Sequence, residues 1–455
     1  MIKSIIKFSQ LTDRLDAEYY KPEILRLKLK LDSLNSKQLS EFVIYNSRGI
    51  QPIYHPKSEF RVLTSQYITK AGIDDTALPS ITQSNYKQSV DSKLIVGDIL
   101  IYTTGANVGN VGIWQNDNIK AMASNHVNIL RTKGIDPYYL QSFLASIIGQ
   151  LQFRRATSGA AQAELYPDDI AKIVVPIVPE AEQKRVGDLV KKAYSKHKFA
   201  EQKYCEAQEL LNNYLQIDDQ KFELRKTFSV PFSQLEDRLD GEYYQIKALK
   251  YRDLLIKTGC SISTLGQIAE QVRYGSSEKV IYRDKGVPFL RVTDIDKVYT
   301  INPKNCKYIS EAKATELQSY KTDYGDLLVS RTGTLGSIVF IDRELTGSIF
   351  GSYFIQVVPV KDKGILPQFV SIFLNSDIGR LQTQNLGSGG IQTNLTIGMI
   401  RELIFPNIEI SKQQEICNIY NEARTLQKES KQLLEKAKSD VEDIIEKGGE
   451  KNAPK

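Results

Sequence analysis

Residue types able to make or break bonds are few in this chain, and they are scattered. The four cysteines, Cys205, Cys260, Cys306 and Cys417, are far apart, and there are only three histidines. Neither a disulfide framework nor a zinc knuckle is expected from such spacing, and no metal site is assigned. A Ser-His-Asp or Cys-His arrangement has no recognisable setting. No Gly-Lys dipeptide occurs, which excludes the usual phosphate-cradling loop of P-loop NTPases. No two prolines are adjacent, which excludes the Pro-Pro-aromatic grip that adenine methyltransferases place on a flipped base. One string has nuclease-like spacing: Pro167-Asp168 followed by Glu182-Gln183-Lys184, whose two carboxylates and lysine could hold Mg²⁺. The pattern is short, and its Glu and Lys open an amphipathic helix. Gly398, Lys412 and Gln414 stand at the corresponding places of the second half. No catalytic residue is assigned, and the chain is expected not to be an enzyme.

The elements that position everything else are written twice. Residues 8–20 read FSQLTDRLDAEYY and residues 232–244 read FSQLEDRLDGEYY. VGDILIYTTG (96–105) faces YGDLLVSRTG (324–333). Pro137, Gly149, Leu151, Ser158, Gly159, Gln162, Leu165 and Pro176 fall, at one constant offset, on Pro367, Gly379, Leu381, Ser388, Gly389, Gln392, Leu395 and Pro406. This is duplication of a large unit rather than a short-period solenoid. Each copy opens with a polar, Tyr-bearing segment. A mixed body of short β-like runs and helical stretches follows, and a long helix closes the copy.

The closing helices carry seam positions, mostly apolar but interrupted by the polar His197, Ser430 and Asp440, at alternating spacings of three and four, the pattern that keeps one stripe facing a partner helix. In the first they are Val186, Val190, Ala193, His197, Ala200, Tyr204, Ala207, Leu211 and Tyr214. In the second they are Ile416, Ile419, Ala423, Leu426, Ser430, Leu433, Ala437, Asp440 and Ile444. Each stripe is about 42 Å long at a rise of ~1.5 Å per residue. Equal lengths, and a chain that must return after the first helix, favour an antiparallel pair.

The expected fold class is therefore α+β: two tandem mixed α/β bodies related by internal duplication, joined by two long helices forming an antiparallel coiled coil. The expected division is an opening segment and first body over 1–178, a helix over 179–217, an opening segment and second body over 218–408, a helix over 409–447, and a disordered tail over 448–455. Composition is ordinary for a folded protein, with 41% hydrophobic and 25% charged residues. Lys and Arg outnumber Asp and Glu by 60 to 54, a mild excess that suits a polyanionic partner without requiring one. No apolar run is long enough for a membrane span and the start carries no secretion signal, so a cytoplasmic location is expected.

With these features in place, the chain resembles the specificity subunits of type I restriction–modification systems over nearly its full length. The resemblance rests on RLDAEYY and RLDGEYY at the head of each copy and on GDLLVSRTGTLG (325–336) with its twin GDILIYTTGANVG (97–109). It also rests on GSGGIQTNL (387–395) with TSGAAQAEL (157–165), and on the Pro-then-Gln openings of the helices, Pro179 with Gln183 and Pro406 with Gln413. The resemblance implies that each body is a target recognition domain reading half of a split, asymmetric DNA sequence. It implies that the helix pair acts as spacer and docks two methyltransferase subunits. Those subunits carry S-adenosylmethionine and this chain binds no cofactor. Motor-nuclease subunits complete restriction, a defence against phage. A specificity subunit of another methyltransferase or nuclease class would share this architecture. A single-strand binder is disfavoured by the lack of aromatic-dense stacking strands.

DNA reading needs Arg or Lys for phosphates and guanine, Asn or Gln for adenine, and hydroxyls or backbone amides elsewhere. In the first copy the polar loops offer Arg48, Gln51, Tyr54, Lys57, Thr104, Asn107, Asn125, Arg154, Arg155, Ser158 and Gln162. In the second they offer Arg273, Tyr274, Ser276, Lys279, Arg291, Arg331, Thr332, Tyr353, Ser388, Gln392 and Asn394. Arg14, Asp16, Arg238 and Asp240 are near-identical between copies, which argues against sequence reading. They are expected to brace each body or to meet the methyltransferase.

Overall fold

The computed structural model describes residues 17–69, 72–105, 107–157, 163–216, 229, 231–234, 255, 259–296, 298–361, 363–386 and 394–451. Arg14, Asp16, Arg238, Asp240, Ser158, Gln162, Ser388 and Gln392 lie outside the described residues. The chain forms two compact units, one of residues 1–200 with 425–455 and one of residues 201–424. Both divisions fall inside long helices, so each unit contains part of both.

The first unit is organised on a four-stranded antiparallel sheet in the order Val43–Arg48, Val127–Thr132, Ile99–Tyr102, Val111–Ile113. The alternation of side chains along a strand sends residues to two faces. Ile99, Ile101, Val111, Ile113 and Leu130 pack with Tyr139, Leu140, Phe143 and Leu144 of the helix Pro137–Ala145. Leu100, Val127 and Ile129 pack with Leu63, Ile68 and Trp114 on the other side. A parallel pair, Arg61–Leu63 with Ala121–Ala123, and a short hairpin of Ile68–Thr69 and Gly72–Ile73 cover that second face.

The second unit repeats the plan. Its sheet runs Ala269–Tyr274, Phe354–Pro359, Leu327–Ser330, Ile338–Phe340, all antiparallel. Leu327, Val329, Ile338, Ile355 and Val357 pack with Phe369, Val370 and Phe373 of the helix Pro367–Asn375. Leu328, Val339 and Phe354 pack with Leu290 and Phe350 on the opposite face. The parallel pair recurs as Val287–Leu290 with Ile349–Phe350, extended here by Lys307–Ile309.

Polar brackets, buried or partly buried, recur with the plan. Gln152 donates from Nε2 to the Val174 carbonyl (3.0 Å) and accepts the Val174 amide (2.9 Å). Gln382 does the same for Ile404, at 2.7 and 2.8 Å. Gln183, at the head of the first long helix, accepts the Asp136 amide and donates to the Val178 carbonyl, both at 3.0 Å. Gln413 accepts the Leu366 amide and donates to the Ile408 carbonyl, both at 2.8 Å. The Pro-then-Gln pattern thus ties a helix start to its neighbouring body, satisfying backbone groups that would otherwise be buried without partners.

The long helices are Glu180–Tyr214 and Ile410–Lys451. Within the first unit their segments run antiparallel: Arg185 pairs with Asp440 at 2.5 Å, Lys196 pairs with Glu429, and Ser430 Oγ donates to the Ala193 carbonyl at 2.7 Å. Within the second unit Lys203 pairs with Glu422 (3.2 Å), the rings of Tyr204 and Tyr420 meet edge-on, and the Tyr214 hydroxyl donates to Glu415.

Val186, Val190, Ala193, Ala200, Ala207 and Leu211 are buried on the first helix, and Tyr204 is half-buried with them. On the second, Ile416, Ala423, Ser430 and Ala437 are buried, but the intervening stripe differs from the one read in sequence. Val441 and Ile445 are buried and Tyr420 and Leu434 pack into the cores, whereas Ile419, Leu426, Leu433 and Asp440 sit at the stripe's edge. Ile444 lies beside the stripe, partly buried against the first core. Alternating threes and fours admit two phases one residue apart, and packing against the bodies selects the one that buries Val441. This helix also continues to Lys451, beyond the start of the tail expected at 448.

Candidate nucleic-acid interface

In each unit two central strands end at a corner formed with a short extended segment from residues 163–166 or 394–396. In the first unit that segment is held by backbone pairing, with the Leu165 amide on the Thr103 carbonyl (2.9 Å) and the Gly105 amide on the Ala163 carbonyl (3.1 Å). Asn46 Nδ2 donates to the Pro167 carbonyl at 2.7 Å, and Asn128 Nδ2 donates to Asn46 Oδ1 at 2.7 Å. The corner gathers Arg48, Thr104, Asn125 and His126. Thr104 bridges to Glu164, and the Thr103 amide reaches the His126 carbonyl at 3.2 Å.

Both terminal nitrogens of Arg48 are engaged there. Its Nη1 meets Glu164 Oε1 at 2.7 Å, its Nη2 donates to the Leu165 carbonyl at 2.8 Å, and its guanidinium lies over the Tyr166 ring. The Tyr166 hydroxyl donates to the other Glu164 oxygen at 2.7 Å. Hydrogen bonds from Tyr166, and next from Arg48, hold the Glu164 carboxyl below its usual range.

The second unit builds the same corner from other residues. Tyr274 occupies the strand position of Arg48, and the Arg331 guanidinium lies over its ring with the centroid 4.8 Å away. The Arg331 amide donates to the Tyr353 carbonyl at 2.9 Å, and its carbonyl accepts the Leu395 amide at 3.1 Å. Asn394 stands where the first unit has Glu164. Among the described residues no carboxylate pairs with Arg331. The structure thus brings together Tyr274, Arg331, Thr332, Tyr353 and Asn394.

Both corners sit on glycines with no room for a side chain. A Cβ on Gly49 would lie 2.0 Å from the Ala123 carbonyl oxygen, and one on Gly275 would lie 2.2 Å from that of Gly351. The Gly-Asp turns are part of the frame too. Asp98, buried, accepts the Ile95 amide (3.0 Å) and a two-point contact from Arg131 (2.8 and 3.0 Å). Asp326 accepts the Asp323 amide (2.7 Å) and Gln356 Nε2 (2.5 Å). Burial pushes both carboxyls up, at Asp98 against the pull of Arg131.

Several candidate residues have internal partners. Arg155 lies over the Tyr19 ring, Arg273 Nε donates to Gln356 at 2.6 Å, and Arg291 pairs with Asp294 at 2.6 Å. Ser276 is buried and accepts the Glu278 amide. Gln51, Tyr54, Lys57, Asn107, Arg154, Lys279 and Tyr353 are exposed. Gln51 and Tyr54 belong to a loop pinned by Asn85, which accepts the Ile53 amide and donates to the Gln51 carbonyl. Glu164 and Tyr166 were not singled out by sequence. The signal that could have found Glu164 is the change to Asn394 within the otherwise aligned repeat block.

Glu182 pairs with Arg185 at 2.9 Å, and among the described residues no group of three or more His, Cys, Asp or Glu could hold a metal ion. No helix among the described residues is long and apolar enough to cross a membrane.

Residues 54–209 match the family described as the type I restriction modification DNA specificity domain. No curated protein matches the chain. Among solved structures, the chain is similar to the S subunit of the type I restriction–modification system from M. genitalium, at 12% identity and a TM-score of 0.43, covering 93% of this chain and 97% of that one. It is also similar to a chain from a study of complex assembly and conformational transition of the type I R-M system (14% identity, TM-score 0.31, 92% and 96% covered). A third likeness is to the HsdS subunit from Thermoanaerobacter tengcongensis (14% identity, TM-score 0.29, 91% and 96% covered). The likeness to the type I restriction modification DNA specificity domain is thus carried by residues 54–209, which span most of the first body and most of its long helix.

Proposed function

We propose that this chain is the DNA recognition subunit of a type I restriction–modification complex and reads a bipartite, asymmetric target, one half-site per body. The observation that carries the reading is one polar corner built twice on a shared frame, with Thr104 and Thr332 kept and the residues around them changed: Arg48 and Asn125 in one copy, Tyr274, Arg331 and Tyr353 in the other. Arg, Tyr, Asn and Thr at strand ends are the residue types that grip phosphates and read base edges. Differing readers on one scaffold suit two different half-sites.

In this reading the chain performs no chemistry. Two methyltransferase subunits dock on it and supply S-adenosylmethionine and the catalytic site, and motor-nuclease subunits join for restriction in the cytoplasm. The helix pair acts as the spacer between the two readers.

The test is single-molecule methylome sequencing of the native host with and without the gene. The expected result is loss of N6-methyladenine at one split, asymmetric motif. An unchanged methylome in a host that otherwise methylates adenine would remove the assignment.

A further inference from the structure

Resting on the DNA-recognition reading, we infer that Glu164 withholds Arg48 from the DNA backbone, so that the two bodies grip phosphate unequally. Arg48 stands at the end of its strand, at the position Tyr274 takes in the other unit, and its guanidinium is already neutralised. Glu164 meets Nη1 at 2.7 Å, the Leu165 carbonyl takes Nη2 at 2.8 Å, and Tyr166 completes the clamp by donating to the second carboxylate oxygen at 2.7 Å. The carboxylate and the Leu165 carbonyl together occupy the two terminal nitrogens that a phosphate would take on a guanidinium fork.

Glu164 is not a mobile surface acid. Its segment is fastened on both sides, by the Leu165 amide on the Thr103 carbonyl and the Gly105 amide on the Ala163 carbonyl. Swinging the carboxylate away would break its bonds from both Arg48 and Tyr166. In the other unit the same place holds Asn394, and Arg331 keeps its ring stack on Tyr274 with no carboxylate partner among the described residues. One corner is thus close to neutral and the other carries a net positive charge. A phosphate contact releases condensed counterions, so each contact steepens the salt dependence of binding by about 0.9 in log K against log salt. Arg331 contributes such a contact, and Arg48 does not while Glu164 is charged.

The experiment measures the salt dependence of binding of the full-length chain to a mixed-sequence DNA duplex by fluorescence anisotropy. Arg331→Gln is expected to make the slope shallower by about 0.9, Arg48→Gln to leave it unchanged, and Glu164→Gln to steepen it by about 0.9. The double variant Glu164→Gln, Arg48→Gln returns it to the parent value. A slope shallower by about one unit in Arg48→Gln overturns the inference, as does an unchanged slope in a folded Glu164→Gln. If Glu164→Gln does not fold, Arg48→Gln alone decides. Failure of the parent chain to bind duplex DNA at any salt overturns the DNA-recognition reading together with this inference, whereas binding with the wrong slopes overturns the inference alone.

Discussion

The corner at Arg48 and the corner at Arg331 share a frame and differ in nearly every side chain they present. Each ends two antiparallel strands, sits on a glycine pressed against a carbonyl, and is closed by an extended segment paired to the neighbouring strand. The first fills this frame with an arginine–glutamate–tyrosine cluster, the second with an arginine stacked on a tyrosine beside an asparagine. The difference teaches that duplication preserved the groups that satisfy buried backbone and left the exposed chemistry free to diverge. Even within the frame one substitution is instructive. The buried aspartate of the Gly-Asp turn is held by a cation, Arg131, in one unit and by a neutral amide, Gln356, in the other.

That last contrast gives the largest expected effect. Arg131→Met leaves the Asp98 carboxylate buried without its counter-ion and should cost about 3–5 kcal/mol. Gln356→Leu removes a neutral donor from Asp326 and the acceptor of Arg273 Nε, and should cost about 1–3 kcal/mol. Urea denaturation at neutral pH would measure both. The pH dependence follows from the sign of the shift. The folded-state pKa of Asp98 is raised by burial, so its contribution to stability is fully present below the unfolded value and is lost as pH rises through the folded one. The deficit of Arg131→Met should therefore shrink on acidification, and a deficit that grows as pH falls would contradict the buried-carboxylate account.

Next come the two glycines. Gly49→Ala and Gly275→Ala each drive a methyl group into a carbonyl oxygen, and each should destabilise by about 3 kcal/mol, the upper end of ordinary overpacking. Equal losses of thermal stability would support a common frame, whereas a harmless Gly275→Ala would show that the second corner is built differently. The smallest effect is expected at the helix surface. Lys203 pairs with Glu206 and Glu422 at partly exposed positions, and Lys203→Met should change stability by less than about 1 kcal/mol. A larger loss in the same denaturation assay would mean that ion pairs, rather than the buried stripe, hold the helices together.

Much of the architecture could be read from residue order. The repeat placed equivalent strands, helices and Gln brackets in both copies, because each satisfies a backbone need that recurs whenever the fold recurs. The phase of the second helix was less legible. Ile419, Leu426 and Leu433 are as apolar as Tyr420, Leu434 and Val441, and only contact with the bodies distinguishes the two stripes. The site was legible as a set of loops but not as a set of partners. Arg155, Arg273 and Arg291 look available in a linear reading, yet they turn to Tyr19, Gln356 and Asp294.

By itself, then, the sequence determined the duplication, the pair of amphipathic helices and the residue types at the strand ends, because these depend on periodicity and local pattern. Tertiary structure alone decided which stripe faces inward and which arginines keep their charge available. Those outcomes depend on groups more than a hundred residues apart, as Arg48 and Glu164 are, meeting within hydrogen-bond distance. The strength of that meeting is set by geometry and partial burial, and neither is encoded in a residue's immediate neighbours.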